Sequence, residues 1–219
     1  MTPSIIIPVY NPPSTFSNLI QSICNITSIP IIIIDDGSHP SIQIDPQYIH
    51  IKLLKNNRNK GKGFSLMKGF HYAYKQGYTH SITLDADSQH DPTLITDFLS
   101  MDNNISIVCG KRELKGSMPF HRRLSNIITS KIVSCICNTT IFDSQCGYRR
   151  YRLQDVCKEI FIEQGFQFET EVLIKLLRNG LKISHIPIPT IYSNESTNMR
   201  YLHDTLIFIK LLIRTIGKL

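Results

Sequence analysis

Ser81-Ile82-Thr83-Leu84-Asp85-Ala86-Asp87-Ser88-Gln89-His90 is a short β-branched run that breaks directly into an acidic, polar loop. The same shape recurs along the first half of the chain. Ser4–Pro8, Ile31–Ile34, Ile51–Leu54, Ser81–Leu84 and Ile105–Val108 are short, mostly Ile-rich and bounded by turn residues, the pattern of buried strands. Helical periodicity fills the gaps near Ser14–Cys24, Phe64–Lys75 and Pro92–Met101. Alternation of this kind predicts an α/β fold, a mostly parallel central sheet with helices on both faces. In such sheets ligands sit beyond the carboxyl ends of the strands.

Read at those ends, the chain gives Pro8-Val9-Tyr10-Asn11, Asp35-Asp36-Gly37-Ser38, Asn56 to Gly63, Asp85 to His90, and Gly110-Lys111-Arg112. Acidic and basic residues therefore gather on one predicted edge. Helix caps explain one or two such loops, but not five in succession. The second half is less regular. It predicts a helix over about Arg122–Cys137, an Arg- and Tyr-rich strand over Asp143–Arg152, and helices over Gln154–Phe161 and Glu169–Arg178. An extended Ile183–Tyr192 and a terminal helix over Met199–Leu219 complete it. With no internal repeat or linker, residues 1–219 read as a single domain.

Composition narrows the function. The 219 residues carry 24 Lys+Arg against 17 Asp+Glu, a net charge of +7, which suits an anionic substrate, nucleic acid or an anionic membrane surface. No run approaches the roughly 18–20 apolar residues of a membrane span, and the N-terminus lacks a basic signal-peptide region, so a cytoplasmic chain is expected. The six cysteines show no metal-ligand or redox spacing and read as small buried apolar groups. Nucleic-acid binding is not expected. Aromatic and basic residues do not interleave, and an acidic cluster repels phosphate unless a metal is present.

Asp85-x-Asp87-x-Gln89 carries the sharpest chemistry. Alternate residues leaving a strand share a face, so three oxygen-bearing side chains can converge there. Hard oxygen donors suit Mg²⁺ or Mn²⁺, which accept one or two carboxylates and leave positions for phosphates. Asp36 has the chemistry to accept N–H bonds from a nucleobase edge, or simply to cap a helix. In Lys60-Gly61-Lys62-Gly63, glycines allow close backbone approach to a ligand, and Lys60 and Lys62 bring ammonium groups towards phosphates.

Taken together, Pro8-Val9-Tyr10-Asn11, Asp35-Asp36-Gly37-Ser38, Asn59-x-Gly61-Lys62-Gly63, Asp85-Ala86-Asp87-x-Gln89, Gly110-x-Arg112, Gly147-Tyr148-Arg149 and Phe168-Glu169-Thr170-Glu171 stand in an order that resembles the family 2 glycosyltransferases. The polyprenyl- and dolichyl-phosphate sugar synthases are the most similar branch. The resemblance implies a GT-A fold, a nucleoside-diphosphate sugar donor (UDP- or GDP-linked), a divalent cation and inversion at the anomeric carbon. Residue by residue, it implies that Pro8, Tyr10 and Asp36 hold base and ribose. Asp85 then contacts the donor, and Asp87 and Gln89 bind metal and diphosphate. Pro12 stands where family members often carry Glu, which leaves the nucleotide open.

The acceptor sets the remaining chemistry. A lipid monophosphate is already anionic and needs only positioning and charge compensation, for which Arg112, Arg122, Arg123, Arg149 and Arg200 are candidates. A saccharide hydroxyl needs a general base, with Glu169, Glu171 and Asp143 as candidates. Glu169 and Glu171 also suit the first turn of a helix for dipole reasons alone. Ser193 to Arg200 resembles the family's acceptor-side loop, with Ser196 and Arg200 as its polar anchors. Two segments predict peripheral contact with the cytoplasmic membrane face: the amphipathic Arg122–Cys137, and the last helix, where Lys210, Arg214 and Lys218 form a basic stripe beside apolar residues.

Overall fold

A computed structural model describes residues 1–113, 118–191 and 201–216. The elements run β1 (Pro3–Val9), α1 (Phe16–Ile26), β2 (Ile31–Asp35), β3 (Ile51–Lys55), α2 (Lys62–Lys75) and β4 (His80–Thr83). A single 3₁₀ turn, Pro92–Leu94, leads into α3 (Ile95–Ser100). Then come β5 (Ile107–Arg112), α4 (Phe120–Cys137), β6 (Arg149–Arg152), α5 (Leu153–Val156), α6 (Phe168–Arg178), β7 (Ile183–Ile188) and α7 (Tyr201–Ile216).

The strands form one sheet in the order β3-β2-β1-β4-β6-β5-β7. β3, β2, β1 and β4 are mutually parallel, β6 runs antiparallel to both β4 and β5, and β7 is parallel to β5. This is the mostly parallel sheet expected. Alternation along β1 and β2 feeds two cores. Ile6, Ile32 and Ile34 pack with Leu66 and Phe70 of α2 and with α5 and α6. Ile5, Ile7, Ile31 and Ile33 pack on the other face with Phe16, Leu19, Ile20 and Ile23 of α1 and Phe98 of α3. Both faces are covered, which is why these strands read as unbroken apolar runs.

Several expected boundaries move. β5 starts later than expected and runs through Gly110-Lys111-Arg112, so those residues belong to the strand rather than to a loop after it. Only Arg149–Arg152 of the expected Asp143–Arg152 strand pairs in the sheet. The 143–148 segment, buried except at Gln145, instead folds under the site through side-chain bonds to Asp143 and Ser144. The helix expected over Gln154–Phe161 is one turn, Leu153–Val156.

Because β6 is reversed, its N-terminal end meets the carboxyl ends of β1, β2, β4 and β5 on the same edge. The Gly147-Tyr148 turn is thereby delivered beside Asp85. No described helix is long and apolar enough to cross a membrane.

Candidate active site

The loops at this edge are tied to one another. Asn11, at φ 46°, accepts from the His39 amide through its side chain and donates its own amide to Ser38 Oγ, joining the β1 and β2 loops. Asp36 is buried, and its carboxylate accepts from Asn56 Nδ2 at 2.7 Å and from the amides of Lys60 and Gly61 at 3.0 and 2.8 Å. It therefore satisfies orphan amides at the start of α2. A role for Asp36 with a nucleobase has to coexist with this structural one. Pro8 is half-buried, and Tyr10 is 37% exposed on the same edge.

The glycine-rich loop works differently from the expectation. Gly61 sits at φ +99°, and a Cβ there would lie 2.4 Å from the Gln164 carbonyl oxygen. A Cβ on Gly63 would meet the Phe168 side chain at 2.4 Å. These glycines admit the N-terminal end of α6, a protein neighbour rather than a ligand. Lys60 lies over the Phe64 ring, while Lys62 alone enters the site.

Lys62 Nζ is 2.6 Å from Asp85 Oδ1 and 3.1 Å from Glu169 Oε2. Gly147 makes this contact possible, since a Cβ there would stand 2.6 Å from Asp85 Oδ2 and 2.8 Å from Lys62 Nζ. Burial disfavours the Asp85 carboxylate, but Lys62, by charge and hydrogen bond, outweighs it and holds the group down to about 2. Burial also disfavours the Lys62 ammonium, and its two carboxylate partners push its pKa above the usual lysine range. For Glu169 burial dominates and raises the pKa. Its Oε1 is buried with no hydrogen-bond partner among the described residues.

Asp87 and Gln89 follow on the same loop, where the Gln89 amide donates to Asp87 Oδ1 and Ser88 between them takes φ 59°. Among the described residues no group of three His, Cys, Asp or Glu side chains could enclose a metal ion. One carboxylate and one amide oxygen do fit a hard divalent cation that takes its remaining ligands from diphosphate and water.

Arg112 forms a two-pronged pair with Asp143, at 2.7 and 3.1 Å, and Asn126 of α4 donates to the same carboxylate. Arg123 packs over the Phe120 ring on the first turn of α4, and Arg122 precedes it, half-buried.

Two expected residues lie elsewhere. Arg149 is fully buried and donates to the carbonyls of Ser144, Cys146 and Glu169 at 2.7–2.8 Å, so it is a brace beneath the site rather than an acceptor ligand. Glu171 accepts from the Ile162 and Glu163 amides and from Arg214, tying α7 to α6. That contact also corrects the expected basic stripe. Arg214 turns inward, and among the described residues of α7 Thr205, Leu206, Ile209, Lys210 and Ile213 are exposed. Ser196, Arg200 and Lys218 lie outside the described residues.

Three roles were not assigned from the sequence, although Asn56 and Tyr148 stand in its candidate motifs. Thr83 Oγ1 donates to the Gly147 carbonyl, Asn56 bridges Asp36 and Ser65, and Tyr148 stacks between His90 and Phe98. The Gly147-Tyr148-Arg149 run was the available signal, with its three residues serving close approach, stacking and bracing.

A family model described as Glycosyl transferase family 2 matches residues 4–163. A UDP-N-acetylglucosamine–dolichyl-phosphate N-acetylglucosaminyltransferase of Methanococcus voltae is 28% identical, over 98% of this chain and 96% of its own. A polyprenol monophosphomannose synthase of Mycolicibacterium smegmatis is 23% identical over 84% of this chain and 75% of its own. Among solved structures, glucosyl-3-phosphoglycerate synthase of Mycobacterium tuberculosis, in complex with Mn²⁺, UDP-glucose and phosphoglyceric acid, superposes with a TM-score of 0.73. That likeness, at 15% identity over 99% of this chain and 80% of the other, shows a shared GT-A fold.

Proposed function

The chain belongs to glycosyl transferase family 2, a nucleotide-sugar glycosyltransferase, and on that premise we propose that it moves a sugar from a UDP- or GDP-linked donor onto a polyprenyl-phosphate-type lipid. The transfer inverts the anomeric carbon: an acceptor phosphate oxygen forms the new bond as the bond to the nucleoside diphosphate breaks. Relatives named for dolichyl and polyprenyl phosphate support this acceptor.

Asp87 and Gln89 would hold Mg²⁺ or Mn²⁺, which when bound offsets charge on the departing diphosphate. Asp85, kept ionised by Lys62, orients the donor. Pro8 and Tyr10 flank the base, and Arg112, Arg122 and Arg123 compensate the acceptor's charge. The observation that carries the phosphate acceptor is the state of the three carboxylates available as bases. Asp143 is held by Arg112 and Asn126, Glu171 by Arg214, Lys175 and two amides, and Glu169 by Lys62. An anionic acceptor requires no base. Contact with the cytoplasmic membrane face is supported by the exposed Phe120, Leu124 and Ile128 along α4 and by Leu206, Ile209 and Ile213 along α7.

The partnerless, burial-shifted Oε1 of Glu169 favours a second reading, in which Glu169 deprotonates a saccharide hydroxyl. Supplying the enzyme with donor sugar, Mn²⁺ and either polyprenyl monophosphate or the matching polyprenol separates the two. Transfer to the phosphate alone is expected, and Asp87→Ala lowers it on the order of a thousandfold, about 4 kcal/mol of barrier. Transfer to the alcohol establishes the second reading instead.

A further inference from the structure

The last sheet bond on the β4 side of β1 is the Leu84 amide donating to Ile6 O. Asp85 is therefore the first residue beyond the ladder, and its amide finds no strand to pair with. It donates instead to Nδ1 of His90 at 3.2 Å, five residues further on. This bond closes a loop whose interior holds Asp87, Ser88 and Gln89. Ser88, in the left-handed region, pins the outside of the loop by donating to Thr15 Oγ1 at 3.2 Å.

We infer that His90 is a positioning residue: its Nδ1 lone pair receives the Asp85 amide and sets the direction in which the Asp85-to-Gln89 loop leaves the sheet. The inference rests on the reading of Asp87 and Gln89 as the metal–diphosphate site, and adds the residue that aims them.

The geometry defines the chemistry required. An amide N–H can only donate, so Nδ1 must be the unprotonated nitrogen and the ring must carry its proton on Nε2. An imidazolium has no acceptor. The ring is 6% exposed and stacks on Tyr148 at 5.0 Å and 23°, and Tyr148 in turn stacks on Phe98 at 4.4 Å and 29°. Tyr148 also donates its hydroxyl to the Asp91 carbonyl, at the far side of the loop. Tyr148, immediately before the reversed strand β6, thus supplies the platform on which the imidazole lies.

The test uses two substitutions in the full chain. Both His90→Asn and His90→Gln remove the ring and its stacking. Asn keeps an oxygen near the position of Nδ1, whereas Gln carries its amide out to the position of Nε2. Two readouts are made. Exchange of the Asp85 amide, followed by NMR without ligand, should stay slow in the wild type and in His90→Asn and become fast in His90→Gln. Mn²⁺-dependent affinity for UDP or GDP should stay within about threefold of wild type in His90→Asn and fall at least tenfold in His90→Gln.

Equal amide exchange in the two variants, or equal nucleotide affinity where the wild type binds, overturns the inference, because a merely structural ring cannot distinguish them. If the wild type takes up neither nucleotide with Mn²⁺, the functional reading fails. The exchange measurement then still decides whether His90 aims the loop.

Discussion

Strands β2 and β6 lie in the same sheet and are almost equally buried, yet one reads Ile31-Ile32-Ile33-Ile34-Asp35 and the other Arg149-Arg150-Tyr151-Arg152. β2 is buried because every side chain but the last is apolar and both sheet faces are covered by helices. β6 is buried because its guanidinium groups find oxygens. Arg149 takes three carbonyls, Arg150 takes those of Met101 and Asp102, and Arg152 pairs with Asp155. Burial of the first kind is written locally in the sequence. The second kind depends on partners up to 49 residues away and is visible only once the chain has folded. The same division separates the donor edge, built on β1 to β4, from the braces that β6 puts under it.

The contrast can be broken most directly at Arg149. Arg149→Met abandons three carbonyls at about 1–3 kcal/mol each and should lower unfolding stability by about 3–9 kcal/mol in denaturant titration. Ile33→Val, in the apolar half, should cost only about 1 kcal/mol. Equal losses would mean that β6 is held by packing after all. Gly147→Ala sharpens the comparison at the junction of the two halves. A Cβ 2.6 Å from Asp85 and 2.8 Å from Lys62 must displace their ion pair, so transfer should fall about 10- to 100-fold while the melting temperature moves by only a few degrees. Unchanged turnover would show that the Asp85–Lys62 contact does not set donor geometry.

The smallest effect concerns pH. Burial lowers His80 in β4, and lowers His185 in β7 to about 4. Both take up a proton less readily in the fold than their unfolded counterparts, which gain one below about 6.5. The stability they contribute is complete above that pH. It should fall as pH drops towards 4, by less than about 1 kcal/mol in all once solvent screening of these rings is counted. A flat stability profile between pH 6.5 and 4.5 would contradict the burial of these rings.

These expectations also mark where the sequence was informative. The parallel half was legible almost to the residue because Ile runs bounded by Asp, Gly and Asn carry both strand period and turn chemistry. The polar loop after β4 was legible because the β-branched run stops at Asp85, while the pairing of Asp85 with Lys62 was not. The glycines of the Lys60–Gly63 loop were misassigned, since whether a missing Cβ faces a ligand or Phe168 depends on α6, a hundred residues away. Arg149 and Glu171 were misplaced for a related reason. A charged residue type states what chemistry is possible, and the fold decides whether that charge is spent on the protein's own carbonyls and amides. Of the expected basic stripe on α7, Lys210 is exposed, but Glu163 and Glu171 draw Arg214 inward.

The central claim is that the β4 edge forms a metal-assisted nucleoside-diphosphate site. Calorimetric titration of the protein with UDP, GDP and CDP, each with and without Mn²⁺, tests it directly. The account predicts that one nucleotide binds only when Mn²⁺ is present and that Asp87→Ala abolishes this binding without unfolding the chain. Binding that ignores both Mn²⁺ and Asp87, or no binding of any nucleotide, would contradict it.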